Sequence, residues 1–120
     1  MSDKSRRRIP DRIEDIRAAI ANIRSDIGDQ DKNVFLSDGK TQRAVIESLI
    51  VIGEAATRIL QAEPNLELAQ PEVWQRLRDA NGMRNILAHE YFRVDPAVIW
   101  DTTINELSDL EASLHHLDIA

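Results

Sequence analysis

The sequence has no cysteine, and glycine, proline and aromatic residues are few: 4 Gly, 4 Pro, 2 Trp, 1 Tyr and 2 Phe in 120 residues. Without cysteine, the chain can form neither a disulfide framework nor a thiolate metal site. Long apolar runs are also absent, and stretches such as 49–52 are too short to cross a bilayer or to form the apolar part of a signal peptide. These features predict a single cytoplasmic domain that comprises residues 1–120.

Charged residues are abundant but unevenly distributed. The formal net charge is −6 and the isoelectric point is about 5.0, which argues against binding of nucleic acid through bulk positive charge alone. Residues 94–120 include six acidic residues and no lysine or arginine, so this segment accounts for the whole net charge. At the other end, residues 1–8 are expected to be a flexible basic N-terminus, because they include the cluster Lys4, Arg6, Arg7 and Arg8.

Apolar periodicity predicts the first helix. Isoleucines from Ile9 to Ile27 recur at alternating spacings of four and three residues, which places them on one helical face. Pro10 can open this helix and Gly28 can close it. Residues 29–40 are rich in polar and turn-forming residues, so we expect a loop whose apolar centre packs onto the helices.

A second helix is expected from Thr41 to Ala62, because Pro64 cannot continue it. Two adjacent apolar stripes cover most of its circumference: Val45, Leu49, Ile52, Ala56 and Ile59, and beside them Ile46, Ile50, Gly53 and Leu60. A domain of this length covers only part of such a surface, so we predict a homodimer that forms through helix two. Burial of the whole helix at the centre of a single bundle is the alternative.

The rest of the chain also has helical patterns. Pro71 opens a third helical segment, Asn81 and Gly82 indicate a break, and a short helix is expected to follow to about Glu90. Asp95 is a good N-cap for a last helix with apolar residues at spacings of three and four. No segment alternates with period two. The predicted fold is therefore all-α, an up-and-down bundle of four main helices plus a short helix.

Reactive side chains are concentrated in residues 83–92. On an ideal helix, Asn85 and His89 lie about 40° apart, and Arg84 and Tyr91 lie about 20° apart. Arg84 and His89, in contrast, are separated by about 140°. They can act on one ligand only if the helix unwinds near its end or if a second subunit supplies the missing half.

The spacing Arg84-x4-His89-x-Tyr91 resembles the motif of the HEPN superfamily, and specifically that of the HepT-type toxins. An Arg-x4-His spacing alone is a weak signal, but the flanking Asn85 and Tyr91 strengthen it. Further segments stand in the same order as in HepT-like chains, so that the resemblance covers about residues 9–115: these segments are 11–16, 52–56, 82–85, 91–92 and 94–95.

The resemblance implies a HEPN-like fold and a metal-independent ribonuclease, the toxin of a type VII toxin–antitoxin pair. It also implies a homodimer in which two copies of the motif meet in one interfacial cleft that cleaves RNA, without a cofactor. The antitoxin would be a minimal nucleotidyltransferase of the MntA type that transfers AMP to the motif tyrosine, here Tyr91. Some members of the family are not catalytic, so the alternative is a non-catalytic helical module that docks a nucleotidyltransferase partner.

The residue types suit this chemistry. RNA cleavage without a metal needs a base, an acid and positive charge near the phosphate, and a histidine can fill either proton-transfer role. We predict that Arg84 binds the phosphate, that His89 carries the proton, and that Asn85 supports His89 by orienting its ring. Glu54 is a further supporting candidate in the active cleft, although an ordinary i,i+4 pair with Arg58 explains it equally well.

Two simpler interpretations concern the same segment. Arg84 can form an ion pair with Glu90 or another nearby acid, with no role in catalysis. His89-Glu90 begins like the zinc motif His-Glu-x-x-His, but Arg93 occupies the position of the second histidine. No metal site and no cofactor are therefore predicted.

Overall fold

The computed structural model describes the backbone of residues 2–119 and the side chains of residues 9–117 apart from that of Tyr91. Over this part of the chain no strand is present, which confirms the all-α prediction. The elements are α1 Ser2–Ile27, α2 Lys32–Leu36, α3 Gly39–Ala62, α4 Leu66–Ala69, α5 Pro71–Glu90, a 3₁₀ turn Tyr91–Arg93, α6 Pro96–Asn105 and α7 Leu107–Ile119.

Helix α3 lies at the centre of the bundle, with α1 packed on one side and α5 on the other, and α7 closes the core against α5 and α1. The isoleucine stripe of α1 is buried against α3, where Ile16 and Ile20 have no exposed surface. Truncation of such a side chain to alanine typically costs about 2–5 kcal/mol of stability. The core is completed by residues from every long helix, among them Val45, Leu49, Ile52, Leu77, Leu87, Ile99 and Leu114.

The predicted start of the first helix is wrong. Helix α1 begins at Ser2, and Pro10 lies inside it. Proline removes one backbone donor and crowds the preceding turn, yet its φ near −65° is itself helical, so the helix can continue on both sides. Gly28 does close α1, with a φ of 54° that suits a glycine after a helix end. The side chains of the basic cluster fall outside the described residues, so the flexible N-terminus stays a prediction.

Helix α5 also differs from expectation, because Asn81 and Gly82 do not interrupt it. The side chain of Asn81 is engaged by Thr57 of α3, and Gly82 has no positive φ that would turn the chain. A glycine inside a helix costs about 1 kcal/mol relative to alanine, which tertiary contacts readily override. The predicted third segment and short helix are therefore one continuous helix from Pro71 to Glu90.

The last predicted helix is divided in two at Glu106. Just before this point, the hydroxyls of Thr102 and Thr103 donate to main-chain carbonyls of their own helix, at 2.9 and 2.8 Å. Such bonds compete with the regular ladder and bend helices. The predicted loop 29–40 likewise contains the short helix α2, whose Phe35 is fully buried as expected for an apolar centre.

The acidic C-terminal segment is joined to basic residues of three other helices. Its exposed ion pairs link Lys32 to Asp101 at 3.7 Å, Arg76 to Asp109 at 3.6 Å and Arg24 to Glu111 at 3.0 Å. Exposed pairs of this kind contribute about 0–1 kcal/mol each, so their main effect is local neutralisation of charge. Across the described helices, none is both long and apolar enough to cross a membrane.

Candidate active site

Helices α3 and α5 approach each other closely at Gly53. A Cβ atom at this position would lie 2.0 Å from Cβ of Arg84 and 2.8 Å from the carbonyl oxygen of Ala80. No side chain larger than hydrogen fits there without a shift of one helix. The glycine of segment 52–56 therefore allows the backbone of α3 to pass directly beside Arg84.

The guanidinium of Arg84 lies beside the side chains of Glu54 and Asn85, both of which the sequence also singled out. We call these three residues the Arg84 cluster. Its Nη2 donates to Oε1 of Glu54 in a short hydrogen-bonded ion pair, and its Nη1 donates to Oδ1 of Asn85 at 2.8 Å. The Nε atom is buried and has no partner among the described residues. Both terminal nitrogens of Arg84, Nη1 and Nη2, are thus hydrogen-bonded, while 32% of its side chain remains exposed.

Glu54 and Asn85 take different partners from those considered in the sequence. Glu54 pairs across the helix interface with Arg84 and not along α3 with Arg58. Arg84 in turn pairs with Glu54 and not with Glu90. Asn85 bonds to Arg84, and within the described part of the chain no hydrogen bond joins it to His89.

One turn along from this cluster, a second contact joins the same two helices. The hydroxyl of Thr57 lies 2.5 Å from Oδ1 of Asn81 on α5 and 2.8 Å from the carbonyl oxygen of Gly53 on its own helix. The sequence did not identify Thr57 or Asn81 as site residues, and Asn81 was named only as part of a predicted break in the helix. The available signal was spacing, because Thr57 follows Gly53 by four residues and Asn81 precedes Arg84 by three.

His89 is exposed in the last turn of α5, and it does not join the Arg84 cluster. Helix α5 stays regular to Glu90, so the two side chains leave it about 140° apart. The helix does not unwind before His89, so unwinding does not bring Arg84 and His89 of one chain to the same ligand. Tyr91 begins the 3₁₀ turn directly after α5, and its side chain lies outside the described residues.

An apolar face of α3 borders the cluster. Ile46, Ile50 and Val51 line a shallow groove of about 340 Å³ together with Arg43 and Glu47. Val51 is 43% exposed, which is unusual for a large aliphatic side chain on the central helix of a bundle. Glu54 follows Ile50 by one helical turn, so this face runs directly into the Arg84 cluster.

Two other spaces in the molecule are less suited to a substrate. A small, partly open cavity of about 30 Å³ between α3, α5 and the α6–α7 junction has room for about one water molecule. A wider groove of about 450 Å³ runs between α1 and α3, and its polar lining includes the carboxylates Asp15, Asp26 and Glu47, which repel a phosphate. Among the described residues, no group of three or more His, Asp or Glu side chains is placed to hold a metal ion.

Comparison with known proteins gives a consistent result. The sequence model of the family described as Ribonuclease HepT-like matches residues 16–117. A protein of Thermococcus cleftensis named probable ribonuclease HepT is 38% identical over 109 residues, which cover 89% of this chain and 93% of that protein. No solved structure matches the chain significantly.

Two further relatives are provisionally named RNases. One, from Methanocaldococcus jannaschii, is 43% identical over 77 residues, which cover 61% of this chain and 56% of that protein. The other, from Caldanaerobacter subterraneus subsp. tengcongensis, is 32% identical over 83 residues, which cover 69% of this chain and 70% of that protein.

Proposed function

The chain belongs to the HepT-like ribonuclease family, and from this membership we propose that it is a metal-independent RNA endonuclease, the toxin of a toxin–antitoxin pair that acts in the cytoplasm. The observation that carries the proposal is the arrangement of Arg84. Its guanidinium is partly buried, held by Glu54 and Asn85, and still accessible on one side. A planar, permanently charged fork in this setting suits a phosphodiester, whose oxygens it can bind in pairs.

The proposed reaction is attack of the ribose 2′-oxygen on the adjacent phosphorus. The P–O5′ bond breaks, a 2′,3′-cyclic phosphate forms, and the 5′-oxygen leaves with a proton. A base accepts the proton of the 2′-hydroxyl and an acid protonates the leaving oxygen, and a histidine side chain such as that of His89 can carry out either proton transfer. Arg84 stabilises the negative charge that builds up on the phosphorane.

We place the working site between two copies of the chain. Within one chain His89 faces away from Arg84, so a histidine from a second copy is needed to complete the site. The apolar face around Ile46 and Ile50 supports this arrangement, because these two side chains are only partly buried, Val51 beside them is exposed, and Glu54 lies one turn from Ile50. A two-fold axis through this face of α3 brings the two motifs to one seam, since a two-fold interface uses the same patch on both subunits.

Control of the toxin is assigned to Tyr91. It lies seven residues after Arg84, at the start of the 3₁₀ turn that directly follows α5. A nucleotidyltransferase partner that attaches AMP to the tyrosine hydroxyl adds negative charge close to the phosphate-binding arginine. The adduct then competes with the substrate phosphate by charge and by volume, and no refolding is required.

The proposal is tested by cleavage of a labelled RNA in the presence of EDTA. Arg84→Ala and His89→Ala should each lower the rate by about 10² or more, the usual effect of losing a preorganised charge or an acid–base group. Matched controls are Arg78→Ala, an exposed arginine on the same helix, and His115→Ala, an exposed histidine on α7, and both should cleave at the rate of the unaltered protein.

Three results would contradict the proposal. Cleavage that is abolished by EDTA would exclude the metal-independent mechanism. Cleavage that persists in His89→Ala would exclude His89 as the proton carrier. Absence of cleavage by the unaltered protein would instead favour the non-catalytic module that docks a nucleotidyltransferase.

A further inference from the structure

The stretch of α5 that carries Arg84 contributes no fully buried side chain, because Ala80 and Met83, which pack against the core there, are only partly buried. The fully buried residues of this helix are Val73, Leu77 and Leu87, and none lies between positions 77 and 87. Arg84 stands in the middle of that interval. Its position relative to α3 therefore depends on contacts other than large buried side chains.

Besides the ion pair of Arg84 with Glu54, two such contacts lie within one turn of Arg84. The first is the close approach at Gly53, which allows the helices to meet but does not by itself prevent one from sliding or rotating on the other. The second is the hydrogen bond from the hydroxyl of Thr57 to Oδ1 of Asn81, 2.5 Å long and half-buried. Because a hydrogen bond is directional, this second contact can define both the rotation and the axial register of α5.

The Thr57–Asn81 contact is also tied back to the close approach. The same hydroxyl lies 2.8 Å from the carbonyl oxygen of Gly53, so it links the main chain of α3 to the side chain of Asn81 on α5. On α5, Asn81 is the i−3 neighbour of Arg84 and the i−4 neighbour of Asn85. A shift of Asn81 along or around α5 therefore also displaces Arg84 and Asn85.

We propose that Thr57 and Asn81 are positioning residues for the ribonuclease, which hold Arg84 at the geometry that phosphate binding in the transition state requires. The inference rests on the proposed function for its catalytic consequence. Neither residue touches the substrate. They act through the register of α5, and a displacement of about 1 Å at a catalytic group can lower a rate by about 10².

Three substitutions test the contact itself. Thr57→Val keeps the shape of the side chain and removes the hydroxyl, whereas Thr57→Ser keeps the hydroxyl. Asn81→Ala removes the acceptor and replaces asparagine with a stronger helix former, so a loss of activity cannot be attributed to a weaker helix. The matched control is Thr102→Val on α6, because the hydroxyl of Thr102 bonds only to a carbonyl of its own helix, at 2.9 Å.

Two measurements are needed, and one of them does not depend on activity. RNA cleavage gives kcat and KM for each variant. In parallel, the Nε–H signal of Arg84 in ¹H–¹⁵N NMR, identified by its disappearance in Arg84→Lys, reports the surroundings of this buried nitrogen. Thr57→Val and Asn81→Ala should lower kcat about tenfold or more with little change in KM, and both should shift the signal. Thr57→Ser and Thr102→Val should behave as the unaltered protein.

The inference is overturned if folded Thr57→Val and Asn81→Ala leave the Arg84 signal in place, or if they move the signal without lowering kcat. It is equally overturned if Thr102→Val loses as much activity as Thr57→Val, because the effect is then one of general stability. If the unaltered protein does not cleave RNA, the proposed function fails, and with it the catalytic consequence. The NMR comparison still decides whether Thr57 and Asn81 position Arg84.

Discussion

Replacement of Gly53 with alanine probes the close contact between α3 and α5 at this residue. The added Cβ would lie 2.0 Å from Cβ of Arg84, whereas carbon atoms in favourable contact are about 3.5–4.0 Å apart. The helices must therefore separate locally by about 1.5 Å or tilt by an equivalent amount. The carbonyl oxygen of Ala80, at 2.8 Å from the new atom, belongs to the backbone and cannot move aside as a flexible side chain would.

The expected cost has two parts. Overpacking of a well-packed interface destabilises proteins by about 1–3 kcal/mol, and for a domain of this size each 1 kcal/mol lowers Tm by about 3–5 °C. In addition, a displaced Arg84 loses its alignment with Glu54 and with the substrate, so RNA cleavage should fall by about 10². The loss of activity should therefore exceed what the change in folded fraction explains.

Gly82→Ala is a matched control within the same pair of helices. A Cβ at this position meets nothing within 4 Å, and the residue has no positive φ. Alanine should stabilise the protein by about 0.4–1 kcal/mol there, because it reduces the freedom of the unfolded chain. Thermal unfolding and RNA cleavage of the two variants give the comparison. The reasoning fails if Gly53→Ala is as stable and as active as the unaltered protein, or if Gly82→Ala is destabilised to the same extent.

Three further predictions follow from other parts of the molecule. The free protein should be a dimer by light scattering at micromolar concentration and Ile50→Lys a folded monomer, and a monomeric unaltered protein would contradict the proposed interface. Co-expression with a cognate nucleotidyltransferase should give an AMP adduct in the intact mass that is lost in Tyr91→Phe, and an adduct that survives this substitution would exclude the site. Hydrogen bonds from the hydroxyl and backbone N–H of Thr41, and from Gln30, lower the pKa of Asp38 from its ordinary 3.8 to about 2. The contribution of Asp38 to the free energy of unfolding is complete above pH 3.8 and is lost as the pH falls through 2. The difference in stability between the unaltered protein and Asp38→Asn should therefore shrink in that window, and a difference that does not change with pH would refute this prediction.

The sequence was sufficient for the class of fold. The isoleucine spacing of α1 is a local property of the chain, and any structure that buries those residues together must be helical there. Segment 52–56, Arg84 and Asn85 were singled out by the sequence, and the structure brings Gly53 and Glu54 of that segment together with Arg84 and Asn85, whereas His89 stays apart. The sequence could single out these residues because they stand in the short segments 52–56 and 82–85, each of which is a run of adjacent residues that resembles the family pattern.

Only the tertiary structure decided which partners these residues take. Glu54 has Arg58 one turn away on its own helix, yet it pairs with Arg84, which lies thirty residues further along the chain and is brought close because Gly53 lets the two helices touch. Asn81 and Gly82 resemble a break in isolation, but packing on α3 and the hydrogen bond from Thr57 keep α5 continuous through them. Periodicity and turn propensity describe a residue and its neighbours in sequence, whereas the pairing of polar groups and the exposure of one stripe of α3 depend on which other helix lies against each face.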